Sequence, residues 1–269
     1  MDVSLELLLL KVAIAPAFIG IVSLIALRYG HRTAGWMVAL PINTGTIIFI
    51  LVLTEGTAFA AAAALGALLG IISLSVFAIG YARFALRHRW PVCLAVASAG
   101  FVASTLVLSQ APPMVLVGLV GSVLAVTVVL ALLPKQSEPV TSAPAPRWEI
   151  PLRMLTAALL VLVITTAAEG LGPRLSGLLS PIPVFTITLV IFTHSRQGPA
   201  PVFVFLNGLQ YGLFSFAAFC AVVAVLLEPY GLGVAIGAGL AAFLGVYVLV
   251  RMVLSRVPSR PEKAPDAVA

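Results

Sequence analysis

Gly35–Thr46 reads GWMVALPINTGT, and Gly177–Thr188 reads GLLSPIPVFTIT. The two stretches align without a gap. Pro41 falls on Pro183, Thr44 on Thr186, Thr46 on Thr188 and Gly35 on Gly177, an offset of 142 (183 minus 41). The same offset pairs Lys11 with Arg153, Arg32 with Arg174, Gly56 with Gly198 and Gly66 with Gly208. It also pairs Gly70 with Gly212, Ser73 with Ser215 and Phe77 with Phe219. Single coincidences are expected in an apolar chain. A gapless series of Gly, Pro, Thr and basic matches reads as a duplicated unit.

Outward from these stretches the chain is strongly apolar. Of its 269 residues 61% are hydrophobic and 9% charged, with a mean hydropathy of +1.17. A soluble domain carries about 25% charged residues, so this chain cannot clothe a globular surface in polar groups. It reads as an all-α polytopic membrane protein. The formal charge of +6 then calls for no nucleic acid, because cytoplasmic loops of membrane proteins collect Lys and Arg. Cys93 and Cys220 lie in apolar runs without metal spacing and read as small core residues. Asp2 and Glu6 stand where a cleavable signal would carry positive charge.

A helix needs about 20 mostly apolar residues to cross the hydrocarbon. That length predicts nine spans: Leu7–Leu27, Thr33–Leu53, Ala58–Tyr81, Trp90–Leu108, Pro113–Leu133, Ile150–Ala168, Leu175–Thr193, Pro201–Leu227 and Gly231–Leu254. Pro134–Trp148, rich in Pro, Ser and Ala, reads as a flexible loop, and the polar tail Arg256–Ala269 as disordered. Arg28, Arg32, Arg83, Arg87, Arg89, Lys135, Arg147, Arg153, Arg196, Arg251, Arg256, Arg260 and Lys263 share one side if the N-terminus is outside and the C-terminus cytoplasmic. Only Lys11 and Arg174 fall on the other side, a split that follows the positive-inside rule. Trp36, Trp90 and Trp148 sit near span ends, as interface aromatics do.

Spans one to four align with six to nine, and span five has no partner. A four-span unit returns to the side it left, so span five turns the second unit over. The expected organisation is a first four-helix repeat (1–109), a linker helix and cytoplasmic loop (110–148), a second, inverted repeat (149–255) and a tail (256–269). Inverted repeats are the common plan of secondary transporters, which place substrate near the midplane where the repeats meet.

The repeated residues suggest where that substrate would sit. Pro41 and Pro183 each remove a backbone hydrogen bond inside a span, so the helix kinks or unwinds there. The freed backbone must then face a cavity or a neighbouring helix. Asn43, Thr44 and Thr46 follow the first break, and Thr186 and Thr188 the second; two-fold symmetry brings them together as a candidate binding site. The bland alternative is that the prolines are ordinary kinks and the threonines bond back onto their own helices. Asn207, Gln210 and Tyr211 share one face of span eight, opposite Leu65, Leu68 and Leu69 in the first copy. They read either as acquired specificity or as interhelical hydrogen-bond glue. Gly66, Gly70, Gly208 and Gly212 read as small-residue helix packing.

Charge narrows the class further. Glu55, Glu169 and Glu228 lie near outer span ends and no carboxylate lies mid-span, which argues against proton-coupled export of lipophilic cations. Lys11 and Arg153 lie about one turn inside their spans. They read as snorkelling side chains or as a basic vestibule on each face that attracts an anionic headgroup or phosphate. His194 at the inner end of span seven reads either as a titrating group or, as a lone interface histidine usually is, as simply solvated. There is no Ser/His/Asp set, no HExxH, no metal-spaced Cys or His and no phosphate-binding Gly-Lys-Ser/Thr loop; no enzyme activity, cofactor or metal is expected.

At Lys11/Arg153, Arg32/Arg174, Pro41/Pro183 and Thr44/Thr186 the chain resembles the GlpM-like bacterial inner-membrane proteins, single units of about four spans, here in two copies. Its layout also resembles the drug/metabolite transporter superfamily, including the small-multidrug-resistance branch, whose first-span glutamate it lacks. The first resemblance implies a bacterial inner (cytoplasmic) membrane location and a link to exopolysaccharide production. The expectations are a secondary transporter or flippase-like carrier for a small polar or anionic, including lipid-linked, solute, or a non-transporting scaffold for envelope polysaccharide assembly. The expected partners are the lipid bilayer, that solute, and a second copy or envelope-assembly proteins.

Overall fold

The computed structural model describes residues 3–110, 114–134, 148–169 and 183–256. Most of the linker after Pro134, the tail past Arg256, and Arg174 and Gly177 of the second copy lie outside the described residues, as do the side chains of Lys11 and Asn43. Among the described residues the fold is all-helical, with nine helices. These are α1 (Val3–Tyr29), α2 (His31–Val38), α3 (Ile42–Thr54), α4 (Thr57–Ala85), α5 (Trp90–Leu108), α6 (Val115–Leu132), α7 (Glu149–Glu169), α8 (Val184–Gln197) and α9 (Pro199–Arg256). Helices α4, α5, α6 and α9 are long and apolar enough to cross a membrane.

Helices stop where the backbone leaves helical space. Gly56 and Gly198 have φ of +89° and +81°, a region that residues with a Cβ avoid. Each ends one helix and frees the next to start, and the two lie 142 residues apart. Gly231, with φ +77°, comes two residues after Pro229 and divides α9 into two arms. The second arm returns along the first: a Cβ on Gly239 would sit 2.8 Å from Val223 Cγ2. Spans eight and nine are thus one helical hairpin.

The break at Pro41 is also visible. Helix α2 stops at Val38 and α3 restarts at Ile42, with Pro41 at φ −77°, ψ 28°. Pro41 lacks the N–H that Met37 O would accept in a continuous helix. Met37 O instead accepts the Leu40 N–H at 3.1 Å, and Trp36 O the Ala39 N–H at 3.1 Å. A tightened turn therefore occupies both carbonyls. Pro183 (φ −78°, ψ 57°) stands likewise before α8. Helical bonding resumes identically after both prolines, Gly45 N–H to Pro41 O at 2.8 Å and Ile187 N–H to Pro183 O at 2.7 Å. Helices α3 and α8 start 142 residues apart, and so do α4 and α9.

Helix α4 and the first arm of α9 form the centre. Helix α4 packs on α9, α5, α6 and α3, while α1 lies against α7 and α2 against α9. Phe77, Leu68 and Ile71 of α4 and Phe205, Leu209 and Phe219 of α9 are fully buried. The α2–α9 contact is backbone on backbone: a Cβ on Gly35 would lie 2.6 Å from Leu209 N and 3.0 Å from Gly208 C. Gly208 faces the Arg32 backbone, and Gly212 faces Ala39 and Trp36. Gly208 and Gly212 thus serve close packing, whereas Gly66 of α4, expected to do the same, has nothing within 4 Å of its Cβ position.

The exterior is apolar. Leu116, Val107, Val163 and Leu124 are 69%, 68%, 61% and 58% exposed, more than a water-facing surface tolerates as a continuous belt. Charge collects at one end of the bundle. His31 reaches Gln197, Arg196 covers the Trp148 ring, and Arg89 and Trp90 share a cavity with His194 and Ser195. The α1–α2 turn, the α4–α5 turn, the start of α7 and the α8–α9 turn therefore meet, and they carry Arg28, Arg32, Arg83, Arg87, Arg89, Arg153 and Arg196. Glu55 and Glu228 belong to the turns at the far ends of α4 and of the first α9 arm.

Candidate functional site

The structure gathers the sequence candidates into two groups rather than one. Thr46 Oγ1 donates to Ile42 O at 2.8 Å, and Thr188 Oγ1 to Val184 O at 2.8 Å, each on its own helix. Thr186 is buried and Thr44 half-buried, while Pro41 and Pro183 are buried at the breaks. Helices α3 and α8 share at most a marginal contact. The reason is steric: α4 and α9, the third helix of each copy, fill the centre and hold the two broken helices to either side. Helix α8 leans instead on α9, α7, α5 and α1, with Phe185 against Phe18 at 4.8 Å.

The second group lies where α4 meets α9. Gln210 is fully buried, and its Oε1 accepts from Ser75 Oγ at 3.1 Å. Gln210 Nε2, Asn207 Oδ1 and Ser215 Oγ are buried without a partner. On α9 these three residues fall within one side of the helix, at spacings of three, five and eight residues. Nearby on α4, Ser73 Oγ accepts from Thr105 Oγ1 at 2.9 Å. Tyr211 stacks on Trp36 at 6.2 Å, and Trp36 meets the Tyr247 ring edge-on at 4.8 Å, so an aromatic wall joins α2 to both arms of α9. A buried polar atom without a partner costs about 1–3 kcal/mol. Three such atoms lie along this side of α9, one amide donor, one amide acceptor and one hydroxyl.

The basic end holds its own network. Arg153 and Glu149 are 4% and 1% exposed and form a two-point ion pair one helical turn apart. The guanidinium also lies 5.5 Å from the Phe192 ring. Its charge is therefore neutralised within the fold rather than presented to a vestibule. His31 Nε2–H donates to Gln197 Oε1 at 2.9 Å. Burial pushes the His31 imidazole below its ordinary range; the bond to Gln197 works the other way, and Arg153 adds to the fall.

His194, expected to be solvated or titrating, has its Nδ1 3.0 Å from the hydroxyl of Tyr81, a fully buried residue of α4. The same hydroxyl is 3.5 Å from Val190 O. His194 also lines, with Arg89, Trp90, Ser195 and Gly198, a cavity of about 370 Å3. Ser75, Tyr81, Glu149, His31 and Gln197 were not among the sequence candidates. Only Glu149 carried a local signal, its four-residue spacing to Arg153.

No group of three or more His, Cys, Asp or Glu able to hold a metal occurs among the described residues. No protein-family model matches this chain, and neither a curated protein nor a solved structure is measurably similar to it.

Proposed function

We propose that the protein is a secondary transporter or flippase-like carrier of the bacterial inner membrane. It moves a small polar or anionic solute, lipid-linked solutes included, by alternating access between two inverted four-helix repeats joined by α6. The observation that carries this reading is Gln210: a fully buried amide in an apolar bundle, its Oε1 bonded to Ser75 and its Nε2 without a partner, on the same side of α9 as the unpartnered Asn207 Oδ1 and Ser215 Oγ. Intramembrane polar groups without partners are expensive, and a ligand that completes them repays that cost. The equal helix starts in the two copies and the basic end of the bundle support the inverted layout, with that end in the cytoplasm.

Liposomes test the proposal. Purified protein should accelerate movement of at least one probe among inorganic phosphate, a hexuronate and fluorescent phosphatidylglycerol. Gln210→Leu, Pro41→Ala and Thr186→Val should slow it while the protein stays folded. The alternative is a non-transporting scaffold for envelope polysaccharide assembly, which the resemblance to GlpM-like proteins motivates. It takes over if no probe moves and the same variants lose a partner complex in cells.

A further inference from the structure

We infer that His194 and Tyr81 form a proton-binding site at the basic end of the bundle, and that the bound proton is the coupling ion of the carrier. The site is built from two helices. Helix α8 supplies the imidazole and α4 the phenol, and the cavity lined by Arg89, Trp90, Ser195 and Gly198 gives His194 access to solvent.

The geometry accommodates a proton without breaking a buried bond. In one neutral tautomer Nδ1–H donates to the Tyr81 oxygen, and the phenol O–H points to Val190 O. The lone pair on Nε2 then takes a proton from cavity water, giving the imidazolium and leaving hydroxide to bulk solvent. In the other tautomer the phenol donates to Nδ1. The incoming proton then goes to Nδ1, while the hydroxyl rotates toward Val190 O. Either way the phenol oxygen serves both charge states, and a hydrogen bond to a charged group is about twice as strong as a neutral one.

Burial holds the His194 imidazole below its ordinary range, and the other ionisable groups at this end come from several elements. Tyr81 comes from α4, Arg89 precedes α5 and Cys93 lies in its first turn; Arg153 and Glu149 are on α7, His31 on α2, and Arg196 on α8 itself. Among the described residues the one ion pair is Arg153–Glu149, so no carboxylate neutralises an imidazolium here. A proton on His194 sets two cations, His194 and Arg89, on one cavity wall and favours widening it. The consequence reaches the solute site, because α4, which carries Tyr81, also carries Ser75, which holds Gln210.

What the proton does rests on the carrier reading; that the site exists does not. Full-length protein labelled with 15N-histidine, in nanodiscs of phosphatidylethanolamine and phosphatidylglycerol, is titrated from about pH 8.5 to 4.5. His31→Gln, His88→Gln and His194→Gln assign the three histidines. The expected result is a His194 midpoint inside that range that moves down by about half a unit or more in Tyr81→Phe, because the charged form loses the stronger bond. Trp36 emission, read in a Trp90→Phe/Trp148→Phe background, should shift with the same midpoint and go flat in His194→Gln. A midpoint indifferent to Tyr81→Phe, no midpoint in range, or a Trp36 response that survives His194→Gln would each overturn the inference. If His194 titrates as described while wild-type liposomes move none of the probes, the carrier reading fails and the proton site stands. If His194 fails to titrate while Gln210→Leu stops movement, the reverse holds.

Discussion

Replacing Gly35 or Gly208 by alanine tests the packing on which the whole arrangement hangs. A Cβ on Gly35 would stand 2.6 Å from Leu209 N, against an ordinary contact of 3.4 Å or more, and a Cβ on Gly208 would stand 2.9 Å from Arg32 C. The obstructing atoms are backbone, which no rotamer change can move. Helices α2 and α9 must therefore separate by most of an ångström. A gap of that size forfeits about a quarter to a half of each van der Waals contact along the crossing. Overpacking costs about 1–3 kcal/mol, and a backbone-on-backbone site belongs at the upper end, about 2–3 kcal/mol. Gly237, also inside α9, has nothing within 4 Å of its Cβ position, so Gly237→Ala is the control and should be neutral or gain up to about 1 kcal/mol of helix propensity. The assay is equilibrium unfolding in detergent, by heat or by titration with a denaturing detergent. Should Gly35→Ala or Gly208→Ala unfold with Gly237→Ala rather than well before it, the close α2–α9 crossing is wrong.

Glu149→Ala should destabilise the protein by about 3–5 kcal/mol in the same assay, because it strands a buried guanidinium. Glu149→Leu combined with Arg153→Met should recover most of that loss. The His31 imidazole is held below its ordinary range by burial, so the unfolded chain takes up a proton first as pH falls. Stability is present above about pH 6.5 and declines below it, which heat denaturation at pH 7.5 and 5.5 will show, with a smaller difference in His31→Gln. Reporter tags at Ala269 and inside Pro134–Trp148 should both read cytoplasm, and a periplasmic signal from either contradicts nine spans.

The parts of the fold legible from the amino-acid sequence were those that residues impose on their own backbone. Pro41 removes its N–H wherever it stands, and the interrupted second span follows from that alone. Gly56 and Gly198 mark helix junctions because their φ values suit glycine. Apolar run length located α5 to the residue, Trp90–Leu108. Side-chain partners were another matter. The 142-residue offset states which positions are equivalent, not which of them meet, so the threonines after each proline were assigned a shared cavity. Thr46 and Thr188 instead bond back four residues, and α4 and α9 occupy the space between their helices. Gln210 was legible as a polar residue facing Leu68 in the repeat, but its partner Ser75 lies 135 residues away. Tyr81 and His194, 113 residues apart, carried no joint signal at all.

That contrast between backbone and side chains also bears on the proposed function. The starts of α3 and α8 and of α4 and α9, the breaks at Pro41 and Pro183, and the positive-φ Gly56 and Gly198 recur at one offset. The bond of Thr46 to Ile42 O recurs as that of Thr188 to Val184 O, but the polar contacts between helices do not recur. The positions equivalent to Gln210 and Ser75 are Leu68 and Ala217, both buried and apolar. Those equivalent to His194 and Tyr81 are Val52 and Val223, and those equivalent to Glu149 and Arg153 are Leu7 and Lys11. A hydrogen-bond network needed only to hold the helices together gives no reason for one copy's positions to be polar and the other's apolar. One site with one polarity does, and under the proposed carrier function it would let the bundle treat two membrane faces differently: a proton would enter at the basic end, and the solute would meet Gln210 further along α4. Building the missing half, with Leu68→Gln and Ala217→Ser together, should then leave the protein folded while blurring that difference, seen as solute movement that no longer depends on the direction of the pH gradient. If the symmetrised protein keeps its directional response, the asymmetry is incidental to transport.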